Sequence, residues 1–332
     1  MYSSPNIYNS KFEVPTDCIG VEALEYGTST VNSVKIDNSE FYGAMGEKTI
    51  AMHIGQLQMD ITNNIIKIFN DGLFSMDVEH MSFVHGNSFE NCDYAITVDN
   101  VIANQDRHIG IYDNILAGNE CGIRTTNIQS NPDDEGISLK IDNNMILGPT
   151  MDIDFQYGIQ VNNCDNSGIS GNSLNMDKLP FTTNNSSANM QKRAIQIVGS
   201  QNGLVFDNNI EKAGTGIWVG GQCLNTQFTC NIFSDFAVGM YFLVNTLDTS
   251  SEISDQGSTS RPTDNVWINS LPNFRVLGGP AIGTETVSWY HRGPKYDAQI
   301  YAPVEDVDVE TLSFIDYIQN TANESAIVCN NG

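Results

Sequence analysis

Residues 82–98 read SFVHGNSFENCDYAITV, and residues 108–123 read HIGIYDNILAGNECGI. Each opens with a short alternating run ending at Asn87 or Asp113. A small residue and an aliphatic follow eight or nine positions later, Ala95-Ile96 and Gly122-Ile123. The same phrase recurs from near residue 34 to about residue 244. Its core is apolar-x-apolar-x-Asn-x-apolar, clearest in Met59-Ile61-Asn63-Ile65, Leu139-Ile141-Asn143-Met145 and Leu204-Phe206-Asn208-Ile210. Ile109-Ile111-Asp113-Ile115 is the same phrase with Asp for Asn. Looser copies place Asn38, Asn87, Asn172 and Cys230 at the same point, and around Asn172 the out-of-phase Ile169 leaves the register open. Positions 38, 63, 87, 113, 143, 172, 208 and 230 are 25, 24, 26, 30, 29, 36 and 22 residues apart.

A period of this length marks a repeat architecture. Alternation over a few residues marks a strand, because successive side chains point to opposite faces. A second short strand follows each phrase, beginning at Gly72, Ala95, Gly122, Gly158, Ala194, Gly216 and Gly239. No repeat has room for a helix, the leucine-rich consensus is missing, and the period is too short for a propeller blade. The spacing therefore predicts an all-β chain: a single-stranded parallel β-helix of about eight to ten coils with irregular caps. The expected layout is a cap over 1–30, the β-helix over 31–264, and a last coil with a cap or small appended unit over 265–332.

Asparagine suits the bend between strands, since it tolerates left-handed geometry and its amide bonds backbone groups. Copies stacked at a coil spacing of about 4.8 Å can also bond one another. On this ladder and the Gly-Ile-x-Val strands, residues 31–244 resemble the right-handed parallel β-helix superfamily, which includes pectate lyases and other polysaccharide-acting solenoids. The tail also resembles, loosely, β-helix modules of large secreted Bacteroidetes-type surface proteins. The resemblance implies a fold and leaves activity open.

The chain has 332 residues, with 40 acidic and 15 basic residues giving a net charge of -25. That excludes a nucleic-acid partner, whose phosphates demand Lys and Arg. It weighs mildly against a polyanionic substrate and favours cations, so Ca2+ is possible while no cofactor is expected. No apolar run approaches a bilayer span, which predicts no membrane insertion. No signal peptide opens the chain, so an extracellular or cell-surface location is expected as part of a longer precursor. The seven cysteines show no zinc spacing; buried thiols are the default, with Cys223 and Cys230 a possible pair.

With the aliphatics of the second strand facing inward, the residues between them face out: Phe74, Thr97, Arg124, Gln160, Gln196, Trp218 and Tyr241. Aromatic rings stack on apolar sugar faces, and amides and Arg bond hydroxyls. Arg124, Gln160, Gln196, Trp218 and Tyr241 are thus the expected glycan-contacting residues. The bland reading is that this row packs beneath long loops. No metal site is expected, since no dense acidic loop is present.

Catalytic motifs of the resembled enzymes are mostly missing. Of the polygalacturonase set only Asp133-Asp134 occurs, in a turn-rich loop. Asp152 and Asp154, with Lys140, Arg124 or Lys192-Arg193 as bases, give no spacing that fixes a lyase site. Asp106-Arg107-His108 fits a solvated corner better than a general base, and His85 sits in phase with the core. Three readings stay open: a secreted or cell-surface module for non-catalytic carbohydrate recognition or a structural role; a polysaccharide lyase or glycoside hydrolase; and a phage or assembly component.

Overall fold

The computed structural model describes residues 5–24, 33–44, 48–78, 81–103, 108–130, 136–148, 156–176, 192–243, 253–258, 261–268, 274–277, 287–292 and 315–320. Three parallel sheets run the length of the solenoid, with nine, ten and ten strands, and the described residues contain no helix. One coil, Ile109–Tyr112, Ile115–Ala117 and Cys121–Ser130, visits the three in turn, here named sheets A, B and C. Each strand then pairs in parallel with its copy in the next coil, as Ile111 with Ile141 and Ile123 with Ile159. This is a parallel β-helix. Each return to the same sheet is a parallel crossover, a connection that strand twist makes right-handed.

Every coil drops the same kind of residue into the interior. Ile36, Ile61, Ile111 and Ile141 fill sheet A's inner side, Phe41, Ile66, Phe89 and Leu116 fill sheet B's, and all are fully buried. Burying such a side chain contributes about 1.5–3 kcal/mol, and the stack repeats it coil after coil. Small residues open the sheet C strands because the next coil's backbone comes close. A Cβ on Gly158 would sit 2.5 Å from the Ala194 carbonyl oxygen, and one on Gly216 2.5 Å from that of Gly239.

The corner between sheets A and B is two residues long in every coil, and its two positions do different work. The first takes a left-handed backbone: Asn38, Asn63, Gly86, Asp113, Asn143, Gly171, Asp207, Cys230 and Asp264. The second turns inward and forms the ladder: Asn64, Asn87, Asn114, Asn144, Asn172, Asn208, Asn231 and Asn265, all buried. Each ladder Oδ1 accepts from the backbone N–H and the side-chain amide of the rung before it. For Asn144 to Asn172 these bonds are 2.9 and 3.0 Å. Each amide also donates backward to a carbonyl, as Asn144 does to Ile111 at 2.9 Å. Ser39 takes the place of the first rung.

The expected ladder thus mixed the two positions. Asn87, Asn172 and Asn208 are true rungs, whereas Asn38, Asn63, Asp113, Asn143 and Cys230 are their left-handed neighbours. Ile61 and Ile141 point inward as expected, but Phe206 is 37% exposed and Val205 fills the core instead. In Leu204-Phe206-Asn208 the asparagine is a rung, whereas in the other clear copies it is the residue before one, so the inward parity of that phrase is reversed.

The N-terminal end also differs from the expected cap. Asn6–Tyr8, Lys11–Glu13 and Ile19–Leu24 pair with the next coil on sheets A, B and C, so residues within 1–30 form a coil. At the other end Val266–Ile268 and Phe274–Leu277 extend sheets B and C. Val287–Arg292 pairs in parallel with Ile315–Asn320, and fully buried Trp289 packs edge-on against Phe242. Cys230 is disulfide-bonded while Cys223 keeps its thiol, donating to the Gly220 carbonyl at 3.5 Å, so the two are not partners.

Candidate functional site

Connection lengths single out one face. The corner from A to B never lengthens, whereas the long connections, 149–155, 177–191 and 244–252 among them, all adjoin an end of sheet C. Insertions in repeat proteins gather on one face, often the binding face. Asp133-Asp134, Asp152, Asp154 and Asp106-Arg107 lie in such connections, outside the described residues.

On sheet C the outward row follows strand register without a break: Phe74, Thr97, Arg124, Gln160, Gln196, Trp218 and Tyr241 are successive partners. Strand parity, read from the inward aliphatics, was enough to place them. Their exposure is uneven. Arg124, Gln160 and Trp218 are half-buried, whereas Gln196 and Tyr241 are buried. Tyr241 is therefore not the open aromatic that its parity suggested.

A second row, missed in the sequence, lies in register three residues upstream: Asp71, Tyr94, Cys121, Tyr157, Arg193 and Thr215, of which Cys121 and Thr215 are buried. The two rows interlock. The Arg124 guanidinium stacks over the Tyr94 ring at 4.0 Å, and that of Arg193 over Trp218 at 4.2 Å. Arg193 Nη1 donates to Gln196 Oε1 at 2.5 Å. The indole lies back over its own strand, where a Cβ on Gly220 would meet it at 2.5 Å, and runs nearly parallel to Tyr241, with centroids 6.3 Å apart. One face of the indole is thus taken by a guanidinium. The signal for the second row is its place in the sequence, immediately before the small residue Gly72, Ala95, Gly122, Gly158, Ala194 or Gly216.

Electrostatics on this face are perturbed. Burial raises the Asp71 carboxyl above the usual range, with Asp93 adding to the rise and Arg124 opposing it. Burial and Asp93 likewise raise Glu120. Burial pulls Arg193 below its ordinary value.

Sheet A carries a separate polar cluster. Lys35 pairs with Asp60 at 2.7 Å, and Thr62 donates to the same carboxylate at 2.6 Å. Burial pushes Asp60 upward, but hydrogen bonds from Lys35 and Thr62 hold it below the usual range. His85 stacks on Tyr112 with centroids 5.0 Å apart and is one-third exposed. It faces outward, contrary to expectation, because Ser82 and Val84 are the buried pair of its strand.

The family model described as Periplasmic copper-binding protein (NosD) matches residues 28–267, most of the solenoid. The chain belongs to the NosD family. No curated protein and no solved structure matches it. Copper in a NosD-type protein would need grouped His, Cys or Met donors. Among the described residues no three His, Cys, Asp or Glu side chains come together as a metal site. The buried cysteines are poor donors one by one, since burial pushes the Cys92 and Cys121 thiols up to about 12 and Cys164 to about 11. A metal ligand must be the thiolate.

Proposed function

We propose that this chain is a non-catalytic β-helix of the cell envelope or exterior that recognises carbohydrate along the outer face of sheet C. The observation that carries the reading is the interlocked pair of rows, in which Arg124 and Arg193 are stacked on Tyr94 and Trp218 beside Gln160 and Gln196. Aromatic and planar cationic groups with amides between them match a sugar's apolar faces and hydroxyls. The long connections at the ends of this sheet support the same face, and the periplasmic description of the family supports the location. A glycan array probed with the purified protein tests the reading. Specific binding that is retained in detergent and competed by the free glycan is expected, and an array without a specific signal would refute it.

A second reading, a polysaccharide hydrolase or lyase, has one observation behind it: the raised carboxyls of Asp71, beside Arg124, and of Glu120. A carboxyl with a raised pKa is the kind of group that serves as a general acid. Release of reducing ends or unsaturated uronate from a polysaccharide panel, abolished by Asp71→Asn, would favour it over simple recognition.

A further inference from the structure

Asn6–Tyr8, Lys11–Glu13 and Ile19–Leu24 are the first described strands of sheets A, B and C, and among the described residues each is paired on one side only. Their inward residues are Ile7, Phe12 and Val21, which lie against the core but are only partly buried. One coil on, their partners Ile36, Phe41 and Met52 are fully buried. Phe12 stacks on Phe41 with ring centroids 4.6 Å apart, and Tyr8 and Ile19 on the flanking strands are exposed. The core of the solenoid thus reaches solvent at this end. An edge strand beside exposed apolar surface is a template for another strand.

The Ser10 carbonyl accepts from the Glu40 N–H, and the Val14 N–H donates to the Tyr42 carbonyl, both at 2.8 Å. Peptide groups alternate sides along a strand, so those of Lys11 and Glu13 point away from the next coil. The side chains of the same two residues are exposed, on either side of Phe12. Within the chain they make only a loose ion pair at 3.7 Å, and Lys11 also lies 5.0 Å over the Tyr42 ring. A second copy laid antiparallel along this strand, about a twofold axis through Phe12, finds the strand complementary to itself. Phe12 then meets Phe12, and each Lys11 faces the Glu13 of the other copy, matched in backbone hydrogen bonds and in charge. The same axis sets Asn6–Tyr8 antiparallel to Ile19–Leu24 of the other copy, so one operation covers all three edges. A head-to-tail copy or a strand of unrelated sequence lacks this match. Self-complementarity therefore selects a second copy, in a molecule whose net charge of -25 otherwise keeps copies apart.

We propose that the N-terminal coil is an interface through which two copies of this chain dimerise end to end. Sedimentation equilibrium over a wide concentration range tests it. The parent chain should dimerise. Lys11→Glu and Glu13→Lys each set like charges opposite one another and should weaken the dimer roughly tenfold or more. Both side chains are exposed, so both variants should melt like the parent. An equimolar mixture of the two variants brings opposite charges back into register. It should recover the parent's affinity, as a heterodimer that native mass spectrometry weighs. Met145→Glu, at an exposed position on sheet B, should dimerise like the parent. A parent that stays monomeric, or that grows past two copies, would overturn the proposal. So would single variants that dimerise like the parent, or a mixture no tighter than its two components. A dimer lost in folded Met145→Glu would move the interface to sheet B and overturn it as well.

Discussion

Two asparagines that are neighbours in sequence do opposite work here. Asn144 is buried and holds the backbone amide and side chain of Asn114 as well as the Ile111 carbonyl. Truncation leaves those groups buried without partners, each costing about 1–3 kcal/mol. Asn144→Ala should therefore destabilise by roughly 3 kcal/mol or more, read as a fall in denaturant midpoint. Exposed Asn143 adopts φ 54°, which glycine takes without strain, so Asn143→Gly should stay within about 0.5 kcal/mol of the parent. Equal effects from the two would contradict the assignment of rungs. Asp71 gives a pH-dependent case. Its folded pKa is raised, so the folded state binds a proton more readily than the unfolded chain. Its contribution is most favourable below the ordinary carboxylate range and is lost as pH rises through the raised value. Asp71→Asn should raise the melting temperature near neutral pH, and the gain should vanish in acid. A gain that persisted in acid would place its cause elsewhere.

The element scale is where the sequence was most legible. Sheet C announced itself because from Asp71 to Leu243 its strands have six or more residues with a small residue near each start, so the outward row from Phe74 to Tyr241 could be read by parity. Sheet B did not, since its strands are three residues long and bury one side chain each, as Glu40–Tyr42 buries Phe41. Three residues show no period. The ladder was half legible, because Asn occurs at both corner positions and only packing tells the rung from its neighbour. Glycan contacts were legible as residue types, while the stacking of Arg193 on Trp218 was not, since it joins strands whose order in space the sequence does not print. Strand burial also governs thiol chemistry. Cys18 is exposed, whereas Cys92, Cys121 and Cys164 are buried with raised pKa values. Alkylation of the native protein near neutral pH, followed by peptide mass spectrometry, should label Cys18 and spare those three until denaturant is added. Native labelling of Cys121 would contradict its place beneath the sheet C face.

At the scale of the molecule, three sheets give three faces and the chain treats them differently. The corner from A to B is fixed at two residues by the ladder, so length variation is confined to connections that adjoin sheet C. Sheet B presents short strands whose outer side exposes Ile115, Met145, Leu147 and Ile268. Sheet A presents ion pairs such as Lys35–Asp60 that satisfy one another. Among the described residues, sheet C is the face that combines stacked arginines, aromatics and amides. The central claim is that this face, and no other, binds. Each of two outward aromatics can be removed in turn: Trp218 on sheet C, and Phe206, exposed on sheet A. The affinity of Trp218→Ala and Phe206→Ala for the strongest array glycan, measured beside their melting temperatures, tests it most directly. The account predicts that Trp218→Ala loses binding by tenfold or more while Phe206→Ala binds like the parent. Retained binding in folded Trp218→Ala, or loss confined to Phe206→Ala, would contradict it.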